Sequence, residues 1–109
     1  MDRDLQRRIA ANEAVFRELN EGIARGQWPG EEQESVGFRC ECARLGCNSV
    51  IELTLPAYQE VRAHSRRFVI AVGHELPGAE RVVQSSPGYS VVEKCDEAGE
   101  LAESSDPRE

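Results

Sequence analysis

Three cysteines fall within eight residues, Cys40-Glu41-Cys42-Ala43-Arg44-Leu45-Gly46-Cys47, and His74 follows 27 residues after the last of them. Three thiols and an imidazole form a complete donor set for one closed zinc site. The size of the chain gives that set its weight. Residues 37–94 have the character of a compact core, and below about 70–80 residues a single hydrophobic core is marginal unless a metal, a disulfide or a partner supplements it. A structural zinc, coupling on the order of 10 kcal/mol of binding to folding, is the largest supplement on offer.

The spacing also constrains the backbone. A Cys-x-Cys pair can meet one ion only if the local backbone brings both sulfurs to one side of the chain. Gly46 supplies backbone freedom just before Cys47. Three residues compete for the fourth position: His74, which follows a strand and a glycine; Cys95; and His64, which lies among Arg62, Arg66 and Arg67. The positive field of those arginines disfavours a cation at His64, and His74 ranks ahead of Cys95. The plain alternative is that the cysteines are small buried hydrophobes and His74 an ordinary turn residue.

The net charge of −7 is unevenly spread. Residues 1–36 carry −3, residues 37–94 carry +1 and residues 95–109 carry −5, so the acidity sits in the ends around a near-neutral centre. Such a chain lacks the broad positive field that dominates affinity for phosphate backbones, and nucleic acid is a poor expected partner. Neither a secretory leader pattern nor a long apolar run is visible, which places the chain in the cytoplasm by expectation, with no membrane contact. In a reducing compartment the thiols are available for metal.

Four segments follow from the patterning. Residues 1–25 read as an amphipathic helix whose stripe is Leu5, Ile9, Phe16, Leu19 and Ile23, with Asn12 in the one missing place. Asp2 and Asp4 suit its start, and Gly26 offers a left-handed cap at its end. Residues 26–36 read as a linker, with Trp28 anchoring it to the core. Residues 37–94 read as an α+β unit: strands near 36–39 and 49–53 around the thiol loop, a helix capped by Thr54, then strands near 67–72, 81–84 and 89–93, the last two joined by Ser85-Ser86-Pro87-Gly88. The strands are expected to make a small, mostly antiparallel sheet. Residues 95–109 read as an acidic, flexible, solvated tail.

Several stretches carry a resemblance together: Ala11-Asn12-Glu13, Phe16-Arg17-Glu18 and Asn20-Glu21; Phe38-x-Cys40-x-Cys42-x4-Cys47; Ile51-x-Leu53-Thr54-x3-Tyr58-x2-Val61-Arg62; Arg67-Phe68-x-Ile70 and Gly73-His74; Glu80-Arg81-Val82-Val83; and Tyr89-x-Val91-Val92-Glu93-Lys94. On these residues the chain resembles a family of small, largely uncharacterised bacterial proteins found mainly in actinobacteria and their relatives. The resemblance implies a shared fold and a zinc ligand set of Cys40, Cys42, Cys47 and His74, with Cys95 and His64 peculiar to this chain. It implies no reaction.

The expected function is therefore that of a small non-enzymatic protein with one structural zinc, an interaction or regulatory module. A protein partner or a second copy is expected at the N-terminal helix. Two alternatives stand beside it: a zinc–thiolate redox switch, with Arg39 and Arg44 lowering the thiol pKa values, and a nucleic-acid-associated regulator using Arg62, Arg66 and Arg67. No Gly-rich phosphate loop, serine elbow or His-Glu zinc motif marks an enzyme.

Overall fold

The computed structural model describes residues 2–108. Helix α1 (Arg3–Arg25) leads through a loop into strand β1 (Ser35–Arg39), and after the thiol loop β2 (Val50–Thr54) returns antiparallel to it, with Ser35 opposite Thr54 and Arg39 opposite Val50. Helix α2 (Leu55–Arg62) starts directly from β2. Thr54 caps it by accepting from the Ala57 amide through its hydroxyl, and Pro56 occupies the first turn where no amide partner is lost. Strands β3 (Arg67–Ile70), β4 (Glu80–Ser86) and β5 (Tyr89–Lys94) form a second antiparallel sheet in the order β3-β5-β4. The chain is α+β, as expected. The turn between β4 and β5 falls at Pro87-Gly88, where Gly88 takes φ +90°.

Sheet β3-β5-β4 is covered on both faces because its edge strand β3 and its central strand β5 are apolar at successive positions. Val69 and Val91 point into one cluster with Phe38, Ile51, Leu53, Tyr58 and Val61, where the Phe38 and Tyr58 rings stack at 4.3 Å. Phe68, Ile70 and Val92 point into the other, with Cys40, Cys42 and Ala102. A continuous apolar run is what a strand buried on both sides requires.

Two expectations change here. The stretch after Lys94 carries helix α3 (Asp96–Ser104), which buries Gly99 and Ala102 against the sheet. Asp106 beyond it is also buried, ion-paired with Arg62. The tail was read as solvated because its acids show no apolar period; those that matter find cationic partners instead. The second change concerns α1. Its buried residues are Ile9, Glu13, Arg17, Asn20, Glu21 and Ala24, whereas Leu19, placed in the expected stripe, is 49% exposed. Leu5, Phe16 and Ile23 lie half-buried along the flank.

The polar face turns inward because each side chain on it finds partners, although the buried Arg17 Nε makes no hydrogen bond. Arg17, fully buried, donates to the carbonyls of Ser65 (2.5 Å), Arg67 (2.8 Å) and Ala102 (3.3 Å), and its guanidinium lies 3.7 Å over the Phe68 ring. Lys94 bridges Glu13 (2.7 Å) and Glu80 (2.5 Å). Glu21 accepts from Arg62 (2.9 Å) and from Arg108 (2.5 Å). A buried charge is tolerated at this density only when it is paired and hydrogen-bonded. At the ends of α1, Asp2 accepts from the Asp4 amide, while Gly26 closes in a right-handed conformation at φ −83° instead of the left-handed one expected. Trp28 is 76% exposed, so it anchors nothing in the core.

Candidate metal centre

The thiol loop leaves β1 and is laid against the free edge of β3. The Cys40 amide donates to Ser49 (2.9 Å), keeping the base of the loop in the β1-β2 ladder, and the Glu41 amide then donates to the Val69 carbonyl at 2.8 Å. Residues two apart in extended chain share a face, so Cys40 and Cys42 point one way without a turn at Glu41. The Glu41 side chain goes the other way from the sulfurs and is completely buried. Its carboxylate accepts from the Val69 amide (3.1 Å) and from Asn20 Nδ2 (2.7 Å), so one residue pairs with both backbone groups of Val69. Asn20 also bonds the Arg39 backbone, accepting from its amide at 2.8 Å and donating to its carbonyl at 2.9 Å. Helix α1 thereby fixes the loop on the side opposite the thiols.

Two glycines close the site from its other borders. Gly46 precedes Cys47 and Gly73 precedes His74, and both take φ +85°, a region that L side chains enter only at a cost. The Cys47 amide donates to Arg44 and the His74 amide to Ala71, each at 3.1 Å, so both ligands sit at the end of a tight turn. The Arg44 guanidinium reaches across to the Gly73 carbonyl (3.0 Å) and ties the two turns together.

The result is one cluster. A sulfur from each of Cys40, Cys42 and Cys47 and a ring nitrogen of His74 all lie within 4.8 Å of one another. His74 Nδ1 is 3.7 Å from the Cys40 sulfur and 3.7 Å from the Cys47 sulfur. Zinc–sulfur bonds of about 2.3 Å and zinc–nitrogen bonds of about 2.0–2.1 Å in a tetrahedron separate sulfur from nitrogen by about 3.5 Å, so the observed spacing matches four ligands on one small ion. Cys40 and Cys42 are buried, while Cys47 and His74 are half-exposed. The Ala71 amide donates to the Cys40 sulfur at 3.1 Å, an outer contact of the kind that orients a thiolate ligand.

The cluster favours a negative sulfur at Cys42 and disfavours one at Cys40. The Cys42 thiol is held well below its ordinary range, first by a hydrogen bond from Cys40 and then by the Arg44 backbone amide, His74 and Cys47. Cys40 is pushed up by that same neighbour and by burial. The expected guanidinium effect on the thiols is not what operates: Arg39 lies over the Phe16 ring and Arg44 acts through its amide.

The four residues foreseen from the spacing are thus brought together, and the two competitors are not. Cys95 precedes α3, its sulfur 3.8 Å from the Glu93 carbonyl, and His64 is exposed just beyond α2. The arginines beside His64 are occupied. Arg62 is buried between Glu21 and Asp106, Arg66 pairs with Glu103 and Arg67 with Glu93, so each of the three is ion-paired within the chain. Glu41, Asn20 and Arg17 were not singled out; the position of Glu41 between two ligands was the one available signal for the first of them.

Comparison with protein-family models, with curated proteins and with solved structures gives no match for this chain. No helix among the described residues is long and apolar enough to cross a membrane.

Proposed function

We propose that Cys40, Cys42, Cys47 and His74 bind a single zinc ion, that this zinc is structural, and that the protein is a non-enzymatic module acting through contacts with other protein. The observation that carries the metal assignment is the mutual approach of the four donor atoms within 4.8 Å. Soft thiolate donors with one imidazole select zinc over the hard cations, and a structural zinc supplies folding free energy to the segments it joins. Four protein ligands leave no open position for a water or a substrate, which argues against hydrolysis. The site joins the β1-β2 hairpin to the end of β3, the two parts of the molecule that share no strand pairing. Kinship with the small bacterial family is part of the same proposal, on the residues that carry the resemblance.

Elemental analysis of protein purified without chelators tests this directly. About one zinc per chain is expected, with loss of cooperative unfolding when a strong chelator is added. A metal-free chain with an unchanged melting transition overturns the assignment.

A further inference from the structure

The outward face of α1 holds side chains that the fold itself does not use. Val15 is 58% exposed and Leu19 49%, and Trp28 just past the helix is 76% exposed. Ala11, Gly22 and Gly26 lie exposed along the same side. Large apolar groups grouped on a small protein's surface mark an interaction site more often than a solvated one.

The charges at the two ends of this face decide what fits it. The first two turns present Arg3, Arg7 and Arg8, all exposed; the loop after the helix presents Glu31, Glu32 and Glu34, also exposed. Among the described residues none of these six takes part in an ion pair within the chain. Asp4 and Arg25, exposed as well, stand at opposite ends with the reverse signs. The face is basic at one end, acidic beyond the other and, apart from exposed Glu18, apolar midway, so turned end for end it brings opposite charges together at both ends.

We propose that the exposed face of α1 binds a second copy of this chain as an antiparallel helix pair. A two-fold axis beside residue 17 sets Val15 of one copy against Leu19 of the other and Ala11 near Gly22, where small residues let the backbones approach. The same axis carries Arg3, Arg7 and Arg8 toward the partner's Glu31, Glu32 and Glu34, twice over. A parallel pair sets like charge against like. The 23 residues of α1 span about 34 Å, so one helix face with its loop falls at the small end of specific interfaces, and the dissociation constant belongs in the micromolar range. This inference rests on the interaction-module reading above and is separable from the zinc assignment.

Sedimentation equilibrium of the zinc-loaded chain from about 5 to about 500 µM, at low salt and again at about 0.5 M salt, is the test. The expected result is a monomer–dimer equilibrium that weakens at least tenfold at high salt and at least tenfold with Leu19→Glu. A chain bearing Arg3→Glu, Arg7→Glu and Arg8→Glu should pair poorly with itself and regain association when mixed with one bearing Glu31→Lys, Glu32→Lys and Glu34→Lys. A monomer at the highest concentration, a dimer indifferent to Leu19→Glu, or a mixture that restores nothing overturns the pairing. Zinc content and circular dichroism on the same samples separate the causes. Monomers with full zinc and native helix content refute only the helix pair; absent zinc refutes the metal assignment.

Discussion

The thiol loop and the inward face of α1 hold the molecule together by opposite means. In the loop a few rare side chains converge on one point, and their backbone is bent to suit them. Along α1 common charged and amide side chains are spread from Glu13 to Glu21, over about two and a half turns, each matched to a different partner in β1, α2, the β3 entry, β5 or α3. The loop concentrates its stabilisation and the helix distributes it. Losing one zinc ligand should therefore disable the loop as a whole, whereas losing one α1 contact should cost its own share and leave the metal in place.

The largest expected effect tests the concentrated end. Cys42→Ser or a strong chelator should remove zinc and with it on the order of 10 kcal/mol of coupled folding free energy, read as loss of the cooperative thermal transition. Arg17→Met comes next. It leaves the Ser65, Arg67 and Ala102 carbonyls short of a buried donor, and a loss of about 3 kcal/mol is expected in urea titrations, with zinc content unchanged. A loss below about 1 kcal/mol, or zinc lost along with the arginine, would erase the distinction between the two regions.

The third effect is one of pH. Glu13 is pushed up to about 7, chiefly by burial, against the attraction of Lys94. A carboxyl that is easier to protonate in the folded chain than in the unfolded one binds the extra proton in the fold, so its contribution to stability grows as pH falls from about 7 toward 4.5 and is lost as pH rises through 7. The difference between the native chain and Glu13→Gln, followed from pH 8 down to about 5.5, should favour the native chain progressively, by up to about 2 kcal/mol. Both proteins carry the same metal site, so proton competition for the zinc ligands cancels in that difference. The smallest effect is at Trp28. Trp28→Ala should leave monomer stability within about 0.5 kcal/mol, since the ring is 76% exposed.

The same contrast explains what could be read from the residues in advance. Cysteine clusters are rare enough that spacing marked Cys40, Cys42 and Cys47 as one candidate site, with His74 ranked ahead of Cys95 and His64 for the fourth place, and β-branched runs with Pro-Gly punctuation placed the strands to within a few residues. Periodicity failed on α1 because it counts apolar residues and takes charge for solvation. Glu13, Arg17, Asn20 and Glu21 look like a wet surface until their partners, drawn from residues 39 to 108, are known. Helix α3 was missed for the same reason: its docking depends on Ala102 under Arg17 and, just beyond its end, on Asp106 beside Arg62, neither of which leaves a local pattern.

The pairing of Glu41 with Val69 has a consequence for the life of the metal-free chain. Phe68-Val69-Ile70 is a short, uncharged, wholly buried strand segment, and its outer edge is closed by the loop that the four ligands hold in shape. Remove the ion and that edge regains an open amide and carbonyl beside three large apolar side chains, the template on which strands of separate molecules add to one another. If zinc fills the site as proposed, metal supply would govern how long the protein stays in solution, and loss of the cooperative transition on chelation should be accompanied by precipitate.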